Sequence, residues 1–88
     1  MRISGIYKIT NKLNGKVYIG SSENCYGRWL AHKRDYLIQD NPLYCDIREC
    51  GIDNFYFQVI EKIPAYMFKS RKQMYIQKYN STVPNGYN

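Results

Sequence analysis

Histidine and tryptophan each occur once in this 88-residue chain, and cysteine and proline three times each. Cys25, Cys45 and Cys50 are odd in number and form no CxxC pair. With one histidine beside them, neither a disulfide framework nor a zinc site is expected, and the thiols read as reduced, packed as small hydrophobes. No apolar run approaches the roughly 20 residues that a membrane helix needs, so no membrane partner is expected. The opening Met-Arg-Ile-Ser-Gly-Ile-Tyr enters a strand at once and reads as no signal peptide, which points to an intracellular, cytoplasmic protein. Linkers, repeats and low-complexity stretches are also missing, and the length suits a single domain over 1–88 with a small core. Acidic side chains are few: seven against 13 Lys and Arg, for a net charge of +6 and a pI near 9.3. That balance favours a polyanionic partner.

What the chain has in abundance is tyrosine, ten in all. Apolar residues make up 44%, which argues against disorder. Two runs rich in β-branched and aromatic residues, Gly-Ile-Tyr-Lys-Ile-Thr (5–10) and Lys-Val-Tyr-Ile-Gly (16–20), flank Asn11-Lys12-Leu13-Asn14-Gly15. Asn-Gly between such runs predicts a β-hairpin, because both residues tolerate positive φ. Alternation puts Gly5, Tyr7 and Ile9 on one face of the first strand and Ile6, Lys8 and Thr10 on the other. Tyr18 and Gly20 share a face of the second strand, so Tyr7 and Tyr18 can meet.

Ser22 or Asn24 caps a helix over 25–38, with Tyr26, Trp29, Leu30 and Leu37 as its apolar stripe. Arg28 and His32, four apart, stack on one flank. Gly27 weakens the first turns by on the order of 1 kcal/mol, and is expected to allow close approach to the sheet. Asn41-Pro42 starts a second helix and Gly51 stops it, with Leu43, Ile47 and Cys50 inward. Residues 54–61 read as a third strand, Phe55, Phe57 and Val59 opposite Tyr56 and Ile60. Pro64 opens a last helix over 64–80. Ala65, Phe68, Tyr75, Ile76 and Tyr79 all fall within about 60° of position 72, so Lys72 sits in the middle of the apolar stripe. An ammonium there faces something polar inside the fold, or snorkels. Residues 81–88 read as turn chemistry. The order β-β-α-α-β-α predicts an α+β fold, a three-stranded, mainly antiparallel sheet with three flanking helices.

Phosphodiester hydrolysis needs a base for water, a counter-charge for the phosphorane and relief of charge on the leaving oxygen. Tyr7, Tyr18, Arg28 and His32 are the side chains here suited to the first two. Gly5-Ile6-Tyr7, ten residues, then Tyr18-Ile19-Gly20 resembles the motif that names the GIY-YIG endonucleases. Arg28, His32, the hexapeptide Tyr75–Asn80 and the closing Gly86-Tyr87-Asn88 extend the resemblance over nearly the whole chain. It implies DNA cleavage with one Mg²⁺ or Mn²⁺, in a bacterial or phage-infected cell. Tyr7 would be the general base and Tyr18 a contact to water or phosphate. Arg28 would stabilise the transition state, His32 would line the site and Asn88 would order it. Homing endonucleases of phage introns are the nearest in feel. A separate C-terminal DNA-binding region is expected in a longer protein.

One position departs. The family places its metal-binding glutamate four residues before the isoleucine that aligns with Ile76, and here that residue is Lys72. An ammonium repels a divalent cation rather than ligating it. This form is therefore expected to be inactive or strongly impaired, either by replacement of the ligand or as a non-catalytic basic nucleic-acid-binding module on the same fold. Lys33, Arg34, Lys69 and Arg71 are candidate contacts to the DNA backbone. RNA is not the expected partner. Val17–Gly20 and Phe55–Val59 only faintly resemble the aromatic strands of an RNA-recognition domain, and the order of elements is wrong for one.

Overall fold

Asn11 and Asn14 do as much as Gly15 to turn the first hairpin. In the computed structural model, which describes residues 2–88, β1 (Gly5–Asn11) pairs antiparallel with β2 (Val17–Ser22). Of the two loop residues expected at positive φ, only Gly15 adopts it, at 76°. Asn14 instead accepts from the Lys16 amide at 2.9 Å, and Asn11 from the Leu13 amide at 2.9 Å. These side-chain bonds turn the backbone with Gly15 alone of the loop in the left-handed region.

The third strand, β3 (Phe55–Lys62), pairs with the other side of β1, giving the order β2-β1-β3 with both pairings antiparallel. Helices α1 (Cys25–Asp35), α2 (Pro42–Cys50) and α3 (Phe68–Tyr79) complete the expected α+β fold. Because β1 is central, both its faces are buried. Tyr7 and Ile9 pack with Phe55 against Leu43, Tyr44 and Ile47 of α2. On the opposite face Ile6, Val17 and Ile19 meet Phe68, Tyr75, Ile76 and Tyr79 of α3. The register between β1 and β3 slips at Ile6/Tyr7, where Ile60 is the extra residue. Such a bulge bends one strand and keeps alternate side chains on their proper faces beyond it.

Several local expectations shift. The first helix stops at Asp35 rather than 38, and Leu30 and Leu37 of the expected stripe are 63% and 66% exposed. Its inward residues are Cys25, His32 and Asp35, with Trp29 packed at their side. This face is rotated from the apolar one because Tyr7 of the sheet and Tyr44 of α2 offer His32 hydroxyl partners, while Leu30 stays exposed. Asn24, not Ser22, caps the helix, accepting from the Gly27 amide. A Cβ on Gly27 would overlap the Asn24 side chain, so that glycine serves the cap rather than the sheet. The last helix begins at Phe68 after a 3₁₀ turn over Ala65–Met67, since Pro64 is extended (φ −73°, ψ 161°). Ala65 is consequently exposed.

The tail, expected to be only turns, closes the free edge of β2. The Tyr87 amide donates to the Val17 carbonyl at 3.0 Å. The Asn88 side-chain amide accepts from the Ile19 amide and donates to the Ile19 carbonyl, each at 2.8 Å, and takes a third bond from Ser81 Oγ at 2.7 Å. An edge strand's unpaired groups are thereby satisfied within the chain. The Tyr87 hydroxyl donates to Asp46 of α2 at 2.7 Å and accepts from Asn11 at 3.1 Å, tying the tail to the opposite layer. Among the described residues no helix is long and apolar enough to cross a membrane.

Candidate active site

Tyr7 lies opposite Gly20 in the hairpin register, and Tyr18 opposite Ile9. A Cβ at position 20 would overlap the Tyr7 ring near Cζ and Oη, so Gly20 is the space in which that ring lies. The diagonal placement leaves the Tyr7 and Tyr18 rings 6.2 Å apart, tilted by 42°. Gly20→Ala should therefore destabilise the fold by about 1–3 kcal/mol, the usual cost of one excess carbon in a packed core. A thermal melt checks this; an unchanged melting temperature would mean the ring has slack.

Helix α1 brings His32 onto this tyrosine pair. Its Nε2 is 2.8 Å from Tyr7 Oη and its Nδ1 is 2.7 Å from Tyr44 Oη. The imidazole is 3% exposed, and these two hydroxyls are what make its burial tolerable. Both tyrosines are buried too, Tyr7 at 1% and Tyr44 at 2% exposed. Burial raises the Tyr7 phenol well above its usual range, with the neighbouring Tyr18 adding to the rise and the Arg28 guanidinium opposing it. The Tyr44 phenol is likewise raised by burial and lowered by Arg28. Arg28 itself is exposed, one turn before His32, with its charge on all three groups.

Burial, then Arg28, hold His32 down at about 4, against a smaller upward pull from Asp35. In the unfolded chain a histidine titrates near 6.5. Between those values the unfolded state binds more protons, so the contribution to stability is complete above about pH 6.5 and is lost as pH falls toward 4. Denaturant unfolding at stepped pH should show a loss on the order of 3 kcal/mol across that window. His32→Gln should flatten that part of the curve; an identical slope in the variant would place the titration elsewhere.

Lys72 belongs to α3, which packs on the other face of the sheet, and Asn88 lies at the free edge of β2. Half-buried Lys72 lines a cavity of about 500 Å³ with Ser21, Lys69, Gln73, Ile76 and Asn88. The two halves of the candidate site meet at β2. Ile19 is held by Asn88, while Tyr18 and Gly20 on either side of it belong to the tyrosine face. A divalent cation does not fit the donors present. No carboxylate lines the Lys72 cavity, and among the described residues no cluster of His, Cys, Asp or Glu can hold a metal ion. Nearby Glu61 is engaged by the Arg71 fork at 2.7 and 2.8 Å, which also takes Arg71 out of the set of free cations. Lys33, Arg34 and Lys69 are exposed, with Arg34 paired to Asp35 at 3.0 Å.

Tyr44 is the member of this hydrogen-bonded cluster that sequence reasoning missed. It sits among apolar positions near the start of α2, 12 residues from His32, and nothing local marks it. Only the packing of α2 against α1 across β1 brings its hydroxyl to the imidazole.

The fold and motif have counterparts in known proteins. The GIY-YIG catalytic domain family model matches residues 3–88. Intron-associated endonuclease 1 of Enterobacteria phage T4 is 33% identical over 97% of this chain, which spans 36% of that protein's length. The catalytic domain of homing endonuclease I-TevI superposes with a TM-score of 0.87 at 33% identity, covering 97% of this chain and 96% of that one. A glutamate-to-alanine mutant of the same domain gives 0.88 at 34% identity, over 98% and 92% of the two chains. With the hairpin tripeptides, the sheet order and nearly every residue matched, this chain belongs to the GIY-YIG catalytic domain family.

Proposed function

We propose that this chain is a DNA-directed nuclease domain whose hydrolytic centre is Tyr7, Tyr18, Arg28 and His32, and that Lys72 leaves it unable to recruit the family's divalent ion. The observation that carries the reading is the buried hydrogen-bonded line from Tyr7 through His32 to Tyr44, with one guanidinium acting on all three. A structural core has no need of so costly a polar chain, since apolar residues of equal volume fill it more cheaply.

The line suits proton transfer. Its phenols are neutral at pH 7 and so is His32. With Nε2 accepting from Tyr7, a water proton moves to the Tyr7 oxygen as the phenol proton moves to His32. The resulting hydroxide attacks phosphorus. Nδ1–H donates meanwhile to the Tyr44 oxygen, which makes Tyr44 a positioning residue for the imidazole. Arg28 stabilises negative charge on the phenols and, from its exposed place, on the phosphoryl oxygens. Tyr18, tilted against the Tyr7 ring and edge-on to His32, borders the place of water and phosphate. Asn88 holds β2, and hence Tyr18, in register.

A bound Mg²⁺ or Mn²⁺ would supply relief of charge at the leaving oxygen. The donors around Lys72 do not provide for it, and hydrolysis by this form is impaired accordingly. Lys33, Arg34 and Lys69 supply backbone contacts, so DNA binding weakens with salt. Sequence choice belongs to a separate C-terminal region of a longer protein. The test is nicking of supercoiled plasmid by this chain and by Lys72→Glu side by side. The reading fails if neither form retains plasmid in a low-salt gel shift.

A further inference from the structure

Beside the tyrosine centre runs a second cavity that the proton line does not use. It is a groove of about 590 Å³ between α1 and β3, its walls including Tyr26, Trp29 and Lys33 on one side and Asp53 and Phe57 on the other. Trp29 and Phe57 are stacked, ring centres 5.4 Å apart and 15° between planes. Tyr26 packs on Phe57 at 5.3 Å and is still 48% exposed, whereas Tyr56, opposite Thr10 in the register, belongs to the other face of β3. Lys33 holds its ammonium 5.4 Å from the Trp29 ring. Phe57 also touches Tyr7, ring to ring at 5.2 Å, so one aromatic ring separates the groove from the candidate active site.

We infer that this groove is a stacking subsite for one unpaired nucleobase of the DNA strand whose phosphate lies at Tyr7. The inference rests on the nuclease reading above and extends it to the form of the substrate. Flat aromatic walls accept any base, because every base has a π face. Lys33 at the rim meets the phosphate of the same nucleotide, and the Asp53 carboxylate opposite is an acceptor for an exocyclic amine. A paired base cannot enter, because the duplex keeps it stacked between its neighbours. The occupant must be unpaired, mismatched or extruded, and a mismatch costs least to open.

Trp29 is the sole tryptophan, so its emission reports the groove directly. The measurement is a titration in metal-free buffer, where cleavage plays no part. Its probes are a short duplex, the same duplex with one central mismatch, and the single strand. The mismatched duplex and single strand should quench Trp29 at about ten-fold lower concentration than the paired duplex, as one stacked base implies. Tyr26→Ala, at an exposed position, should remove most of that preference while leaving the gel shift of paired duplex intact, and Tyr56→Ala, on the opposite face of β3, should leave both unchanged. Equal titrations for paired and mismatched DNA overturn the inference, as does a preference that survives Tyr26→Ala. So does self-association by sedimentation that Tyr26→Ala abolishes, which would give the groove to a second copy of the chain. Duplex binding without a preference defeats the groove alone, whereas no binding of any DNA defeats the nuclease reading with it.

Discussion

Lys72→Glu is expected to convert this chain into one that nicks supercoiled plasmid in Mg²⁺, with a gain on the order of a hundred- to ten-thousand-fold. The magnitude is what several kcal/mol of charge neutralisation at a leaving oxygen gives, at tenfold in rate per 1.36 kcal/mol. Two effects act together. The substitution removes a fixed positive charge that repels the ion, and it places a carboxylate in a cavity that holds none. Lys69 and Asn88 remain as neighbours, so the cavity stays polar. The fold should tolerate the change, because Lys72 makes no hydrogen bond or ion pair among the described residues that the substitution would orphan. The gain must vanish when the metal is chelated. Cleavage by the chain as it stands in the presence of a chelator would overturn the reading, since the ammonium itself would then be serving where the family uses a cation.

The second large effect is the loss on Tyr7→Phe, measured in the Lys72→Glu background where there is activity to lose. General-base chemistry typically contributes about 10²- to 10⁴-fold, and nicking should fall by that order. The same change leaves His32 Nε2 facing a ring edge instead of a hydroxyl at 2.8 Å. An unsatisfied buried polar atom costs about 1–3 kcal/mol, so the midpoint of unfolding should fall as well. The two consequences separate by temperature. At a temperature well below the melt of the variant, a purely structural role would restore the rate, and a chemical role would not. Full activity in folded Tyr7→Phe would remove Tyr7 from the chemistry and leave Tyr18 as the base.

Local sequence determined much of this molecule. The two tripeptides and the Asn-rich loop make the hairpin, and alternation alone puts Tyr7 and Tyr18 on one face. Asn24, Asn41 and Gly51 mark helix boundaries because capping and positive φ are settled within a few residues. Lys72 was legible for a similar reason: an amphipathic period fixes a helix face, and a cation in the middle of that face stands out whatever the fold. Tertiary structure alone decided the rest. The face that α1 turns inward was misread from its leucines, because apolar count is only half of the criterion. A buried imidazole is tolerable where hydroxyls meet both nitrogens, and those hydroxyls lie 25 residues before and 12 after it in the chain. Arg71 was spent on Glu61, and the tail became an edge partner of β2 through Asn88, for the same reason. Capping and alternation act over one turn of backbone, whereas polar satisfaction is arranged among atoms that only the folded chain brings within 3 Å.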